Sequence, residues 1–160
     1  MDLGNLESDE LLALSEFDLQ RELYTEALVK LKLAKGRTDV PIEVHALLGR
    51  CYASMGLLAR AKASFSALLE IKPDAIHELF QLGMVERDMG NVIKAMQIWD
   101  QVLEAESAFA PALFYKAVAL VEVDERQSAI DALAILKENP AEAGEYLERA
   151  EELLSSLNIQ

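Results

Sequence analysis

Side chains that often carry catalysis or bind metals are few in this sequence and lie far apart. The two histidines are His45 and His77, and the single cysteine is Cys51. The sequence contains no paired-cysteine metal spacing, no glycine-rich phosphate loop and no serine motif of the strand-to-helix type. One cysteine also excludes a disulfide within the chain. The sequence therefore predicts a protein that is not an enzyme and has no metal site and no cofactor.

Acidic side chains are abundant, but their distribution favours a solvated surface over acid–base catalysis. The formal net charge is -13. Residues 1–20 hold six acids and no base, and residues 76–160 hold sixteen acids and six bases, whereas residues 21–75 hold six acids and nine bases. Because an acidic body repels phosphate groups, we expect no binding to nucleic acid.

The composition is that of a packed helical protein. Hydrophobic residues make up 52% of the chain, with only 7 glycines and 4 prolines, which favours helix. No apolar run reaches the roughly 18 residues that a membrane span requires, and the acidic start MDLGNLESDE lacks the pattern of a signal peptide. We therefore expect a cytoplasmic protein with no membrane insertion.

The helices that would position any functional site recur along the chain, because the sequence pattern has a period of 34 residues. The pairs that show this period most clearly are Gly49 with Gly83, Gly56 with Gly90, Ala61 with Ala95, and Phe65 with Trp99. A fixed period of this length indicates stacked helical repeats. The predicted repeat boundaries are 8–41, 42–75, 76–109 and 110–141, with a helix over 142–158 after them. The apolar residues of this last helix share one face and its other face is Glu-rich, which is typical of a capping helix.

The small residues of the period have a physical explanation. A residue with little or no Cβ at Gly49 and Ala61 lets two antiparallel helices approach closely, while Phe65 fills the space beside them. Gly56 lies in the turn between helices, where an unusual φ is favourable only for glycine. Cys51 is expected to be a small buried core residue.

This pattern resembles the tetratricopeptide repeat (TPR), a helix–turn–helix unit. In the second copy the matching residues are Leu48, Gly49, Tyr52, Ala61, Phe65 and Pro73. At the position of Tyr52, the third copy has Glu86 and the first copy has Asp18. The resemblance implies one all-α domain over residues 1–160, folded as a right-handed α-solenoid (a TPR superhelix) of antiparallel helix pairs.

The resemblance also implies a concave groove lined by the first helix of each repeat. The residues at ligand-facing positions that we single out are Arg50, His77, Phe80, Met84, Arg87, Phe114, Val118 and Val121. The apolar members would form an exposed interaction patch, unless the C-terminal helix of the chain itself covers them. The basic members would donate hydrogen bonds.

The function that this groove implies is that of an adaptor or scaffold that binds a protein or peptide, as an apolar or amphipathic segment. Two alternatives remain open at this stage. One is a structural subunit that self-associates, so that an oligomer is expected, and the other is a small acidic secretion chaperone of the TPR type. The basic residues that grip chaperone tails in some family members are absent here.

Overall fold

The protein is all-α, as the sequence predicts. The computed structural model describes residues 2–158, and this part of the chain contains helices and turns without any β-strand. A short 3-10 helix (Leu3–Asn5) precedes α1 (Ser8–Gln20), α2 (Tyr24–Lys35), α3 (Glu43–Ser54), α4 (Leu58–Ile71), α5 (Ile76–Asp88), α6 (Val92–Ala105), α7 (Ala110–Glu122), α8 (Arg126–Glu138), α9 (Pro140–Ala143) and α10 (Tyr146–Asn158).

The chain divides into two compact units, one that ends at Met89 and one that begins at Gly90. In the first unit α1 packs on α2 and α3 packs on α4, around a hydrophobic cluster that includes Leu31, Leu48 and Phe65. In the second unit α7 packs on α8 around a separate cluster that includes Leu133. The largest buried side chains therefore come from the periodic positions of the sequence.

The turns between paired helices share one backbone geometry. Glu22, Gly56, Gly90 and Asp124 all have positive φ and lie one period apart. In three of these turns the next residue donates its N–H to a carbonyl five residues back, for example Leu57 to Tyr52 at 2.9 Å. This is the Schellman arrangement, which needs a left-handed residue. No atom lies within 4 Å of a Cβ built on Gly56, so conformation and not space favours glycine there.

Close approach of α3 and α4 explains Gly49, as the sequence predicts. A Cβ built on Gly49 would lie 2.7 Å from the ring of Phe65. The ring cannot move aside, because only 1% of Phe65 is exposed. Gly49 thus sets the distance between the two helices of this repeat.

We expect Gly49→Ala to lower the free energy of unfolding by about 1–3 kcal/mol, because the new methyl group overpacks the buried ring. This loss occurs although alanine is the better helix former by about 1 kcal/mol. Urea denaturation measures the change. The matched control is Gly36→Ala, where φ is -73° and the nearest atom to a built Cβ is 3.6 Å away, so stability should not fall. A midpoint for Gly49→Ala at or above that of the wild type would contradict the packing argument.

The C-terminal segment differs in one respect from the single helix expected there. A short helix, α9, ends at Ala143, and α10 begins at Tyr146. Gly144 lies between them with φ 52° and ψ -131°, a conformation that a residue without Cβ adopts most readily. The resulting change of direction lets α10 pack against α8 and α7 within the second unit.

Candidate functional site

The predicted groove residues fall in both units. Arg50 lies on α3, and His77, Phe80, Met84 and Arg87 lie on α5, all in the first unit. The three residues on α7, in the second unit, are Phe114, Val118 and Val121. The candidate groove residues thus form two sets, one on each unit.

In the first unit the polar groove residues are more accessible than the aromatic one. Arg50 and His77 are exposed, and Met84 and Arg87 are partly buried. The Arg87 guanidinium lies 3.1 Å from the carboxylate of Asp88. Phe80 is only 8% exposed, so the exposure expected for this ring is not observed. The accessible apolar surface among these groove residues therefore comes from Met84 and not from the ring of Phe80.

In the second unit α10 covers the expected apolar patch. Phe114 is 6% exposed, and its ring centroid lies 5.5 Å from that of Tyr146. The Arg149 guanidinium carbon is 4.4 Å from the same Phe114 centroid, a distance at which a cation is attracted to the ring. The partly buried Val118 and Val121 pack against the same cluster. The expected exposure of Phe114 is thus not observed either, and the alternative left open by the sequence, coverage by the chain's own C-terminal helix, accounts for it.

The contact of α10 with α7 is mainly aromatic. Tyr115 and Tyr146 meet edge to face, with centroids 6.2 Å apart. Burial is the first cause that raises the pKa of Tyr146, followed by the charges of Tyr115 and Glu145. The hydroxyl of Tyr146 therefore stays protonated at neutral pH, so this aromatic contact does not depend on its ionisation.

Two buried acids replace the tyrosine of the repeat pattern, and each has a lysine partner. Glu86 is 2% exposed, and its Oε1 lies 2.6 Å from Lys62 Nζ. Asp18 is 8% exposed, and its Oδ2 lies 2.5 Å from Lys30 Nζ. These pairs were not predicted from the sequence. The signal was present, since an acid at a core position of the repeat requires a cation nearby.

Cys51 and His45 lie within the first unit. Cys51 is fully buried, its thiol donates to the carbonyl oxygen of Tyr24 at 3.3 Å, and burial raises the pKa of the thiol. A raised pKa disfavours the reactive thiolate, so the predicted packing role of Cys51 is confirmed. Burial, and then the charge of Lys35, lower the pKa of His45.

Across residues 2–158, no three or more His, Cys, Asp or Glu side chains are grouped so that they could hold a metal ion. None of the helices in that range is both long and apolar enough to cross a membrane.

Comparison with known proteins identifies the repeat and the fold. A sequence model of the tetratricopeptide repeat family matches residues 42–75, which coincide with the second copy of the period. Among solved structures, MamA from Desulfovibrio magneticus RS-1 is similar with a TM-score of 0.78 and 21% identity, over 95% of this chain and 84% of that chain.

Two further structures are similar at the level of fold. A thermophilic TPR protein from Thermus thermophilus has a TM-score of 0.76 and 19% identity, over 96% of this chain and 82% of that chain. YrrB, described as a TPR protein with an unusual peptide-binding site, has a TM-score of 0.73 and 18% identity, over 86% of this chain and 70% of that chain. These likenesses establish the helical repeat fold.

Proposed function

Because the chain is a tetratricopeptide repeat protein, we propose that it is an adaptor that binds a segment of another protein and catalyses no reaction. The proposed binding surface is the first-helix face of the first unit. We define this face by Leu12 and Glu16 on α1, Ala46, Arg50 and Ala53 on α3, and His77 and Met84 on α5.

The proposal rests on the presence of both apolar and charged side chains at the surface of this first-helix face. Leu12, Ala46, Ala53 and Met84 are each partly exposed. The three helices that carry these residues are held together by packing. Helix α1 packs against α3, and Val85 of α5 belongs to the same hydrophobic cluster. A rigid, partly apolar surface binds without a large ordering cost.

Charge at the edges of the face indicates how a segment would be oriented. Glu16 and Arg50 are exposed on α1 and α3, and they carry opposite charges. An amphipathic helix or extended segment would place apolar side chains against Leu12 and Met84 and its own charges against these two groups. Met84 suits such a surface, because a thioether adapts its shape to different partners. The peptide-binding site in the description of YrrB is consistent with this use of the fold.

The proposal is tested with peptides selected from a random phage-displayed library on the intact protein. We expect apolar or amphipathic sequences to be enriched. Arg50→Ser combined with Met84→Ser should weaken their binding at least about tenfold, since loss of anchors in a binding hot spot costs on the order of 2 kcal/mol. Fluorescence anisotropy with labelled peptide measures the affinity.

The matched control is Ile93→Ser combined with Lys94→Ser, two exposed residues on α6, which also removes one apolar and one basic side chain. This variant should bind the selected peptides as the wild type does. Helical content by circular dichroism and mass by light scattering must be unchanged in both variants. Equal affinities of both variants would contradict the first-helix face, and a concentration-dependent dimer mass of the wild type that blocks peptide binding would favour the self-associating subunit.

A further inference from the structure

Two cavities occupy equivalent places in the repeat, one in each unit. The cavity of the first unit, of about 240 Å³, lies among α2, α3 and α4. The cavity of the second unit, of about 430 Å³, lies among α6, α7 and α8. The residues that correspond, two periods apart, are Lys35 with Leu103, His45 with Leu113, Arg60 with Ser128, Ala63 with Asp131, Ser64 with Ala132, and Ala67 with Ile135. The cavity is thus produced by the repeat itself.

The chemistry of the two linings differs. In the first unit, Lys35 and Arg60 line the cavity beside His45, and no acid is among the lining residues. In the second unit the equivalent places of Lys35 and His45 are leucines, and the lining includes an ion pair in which Lys116 Nζ is 2.5 Å from Asp100. The second cavity forms at the equivalent place of the repeat but lacks this cluster of basic groups. The repeat fold therefore does not require basic residues at these positions.

The two basic side chains of the first cavity, Lys35 and Arg60, form no salt bridge within residues 2–158, since neither has a carboxylate oxygen within 4 Å. The Arg60 guanidinium carbon lies 5.9 Å from the centroid of the Tyr52 ring, which orients the side chain and leaves its N–H groups as donors. A guanidinium held in this way suits the oxygens of a carboxylate, sulfate or phosphate. The hydroxyl of Ser64 adds a further donor to the lining.

We propose that this cavity binds an oxyanion, presented as an acidic side chain of a protein partner, between Lys35 and Arg60. His45 takes part when it is protonated. The site uses none of the residues of the first-helix face, so it would add a second, charge-selective contact to a bound partner. Lys35 and Arg60 belong to the part of the chain, residues 21–75, in which bases outnumber acids.

His45 offers a direct reporter of anion binding. The groups that line the cavity with it are Lys35 from α2, Tyr52 from its own helix and Arg60 from α4, and the charge of Lys35 contributes to lowering its pKa. An anion beside His45 favours the imidazolium form, so binding should raise this pKa by about half a unit or more. By linkage, affinity should increase as the pH falls through the pKa of His45, which burial and Lys35 hold below the ordinary histidine value.

The experiment is a nuclear magnetic resonance titration of the His45 ring with sodium sulfate, at constant ionic strength set by sodium chloride. Sulfate is the first probe because its charge does not change over the pH range in which a histidine with a lowered pKa titrates. The second probe is acetyl-triglutamate, which tests an acidic peptide as the source of the oxyanion. We expect both to shift the His45 resonances and to raise its pKa.

Lys35→Gln combined with Arg60→Gln should weaken sulfate binding about tenfold or more, because it removes both charged donors. The control, Lys32→Gln combined with Lys72→Gln, removes the same charge from lysines that are exposed, as Lys35 and Arg60 are, but lie outside the cavity, and should change the affinity by less than about twofold. Sulfate binding without peptide binding would overturn the peptide source. Equal losses in the two variants, or no response of His45 to either probe, would overturn the site.

Discussion

A chain that ends after Ala143 is expected to lose stability in its second unit and to associate in solution. The deletion removes α10, whose Ala150 and Leu157 are buried in the hydrophobic cluster of that unit. It also uncovers Phe114, which Tyr146 and Arg149 contact. At about 1.5–3 kcal/mol for each large apolar side chain removed from water, the expected loss is roughly 3–6 kcal/mol. Thermal unfolding and light scattering measure both effects.

A matched variant distinguishes the contribution of the charges of α10 to stability from the contribution of its apolar packing. Glu151→Gln combined with Glu152→Gln changes two exposed residues of α10 and leaves the apolar face intact, so stability should change by less than about 0.5 kcal/mol. A truncated chain that stays monomeric and melts at the temperature of the full chain would show that α10 contributes little to the fold. In that case the burial of Phe114 would need another explanation.

Lys62→Met is expected to destabilise the first unit, although nearly half of this lysine faces solvent. Its ammonium lies 2.6 Å from Glu86 Oε1, and the side chain of Glu86 is 2% exposed. Removal of the lysine takes a compensating cation away from a buried carboxylate. Because solvent screens the partly exposed Lys62, the expected loss in free energy of unfolding is only about 2–3 kcal/mol. Urea denaturation measures it.

The double variant distinguishes the loss of a compensating charge from a loss of packing. Lys62→Met with Glu86→Leu replaces the pair by apolar groups and should recover most of the stability, because two removed charges leave none uncompensated. Lys94→Met, at an exposed position of α6, is the surface control and should be nearly neutral. If Lys62→Met were as mild as Lys94→Met, the ion pair would not stabilise the fold.

Helix pairs and their close contacts could be predicted because the period encodes them locally. Gly49 and Ala61 indicated a close crossing of two helices, and the 2.7 Å between a Cβ built on Gly49 and the ring of Phe65 confirms it. Gly56 indicated a turn with positive φ, and its φ of 73° agrees. Glu22 and Asp124 occupy the same place with positive φ and show that the repeat geometry prevails over the preference of a single residue, at roughly 1–2 kcal/mol each.

The sequence did not reveal the side-chain pairing of Asp18 with Lys30 within the first repeat, nor several contacts between repeats. The register correctly places Phe80 and Phe114 on first helices, but it cannot say whether another element covers them. Phe114 is covered because Gly144 redirects the chain and brings Tyr146 onto it. The pairing of Lys62 with Glu86 joins α4 to α5, the helices of successive repeats, and a 34-residue pattern carries no information about which charges meet across that boundary.

The most direct test of the proposed function is a map of backbone amide shifts on addition of a selected peptide. The proposal predicts changes on α1, α3 and α5, largest near Leu12, Arg50 and Met84, and loss of these changes in the Arg50→Ser, Met84→Ser variant. Changes confined to the second helices, α2 and α4, or to the second unit, would contradict a binding surface on the first-helix face.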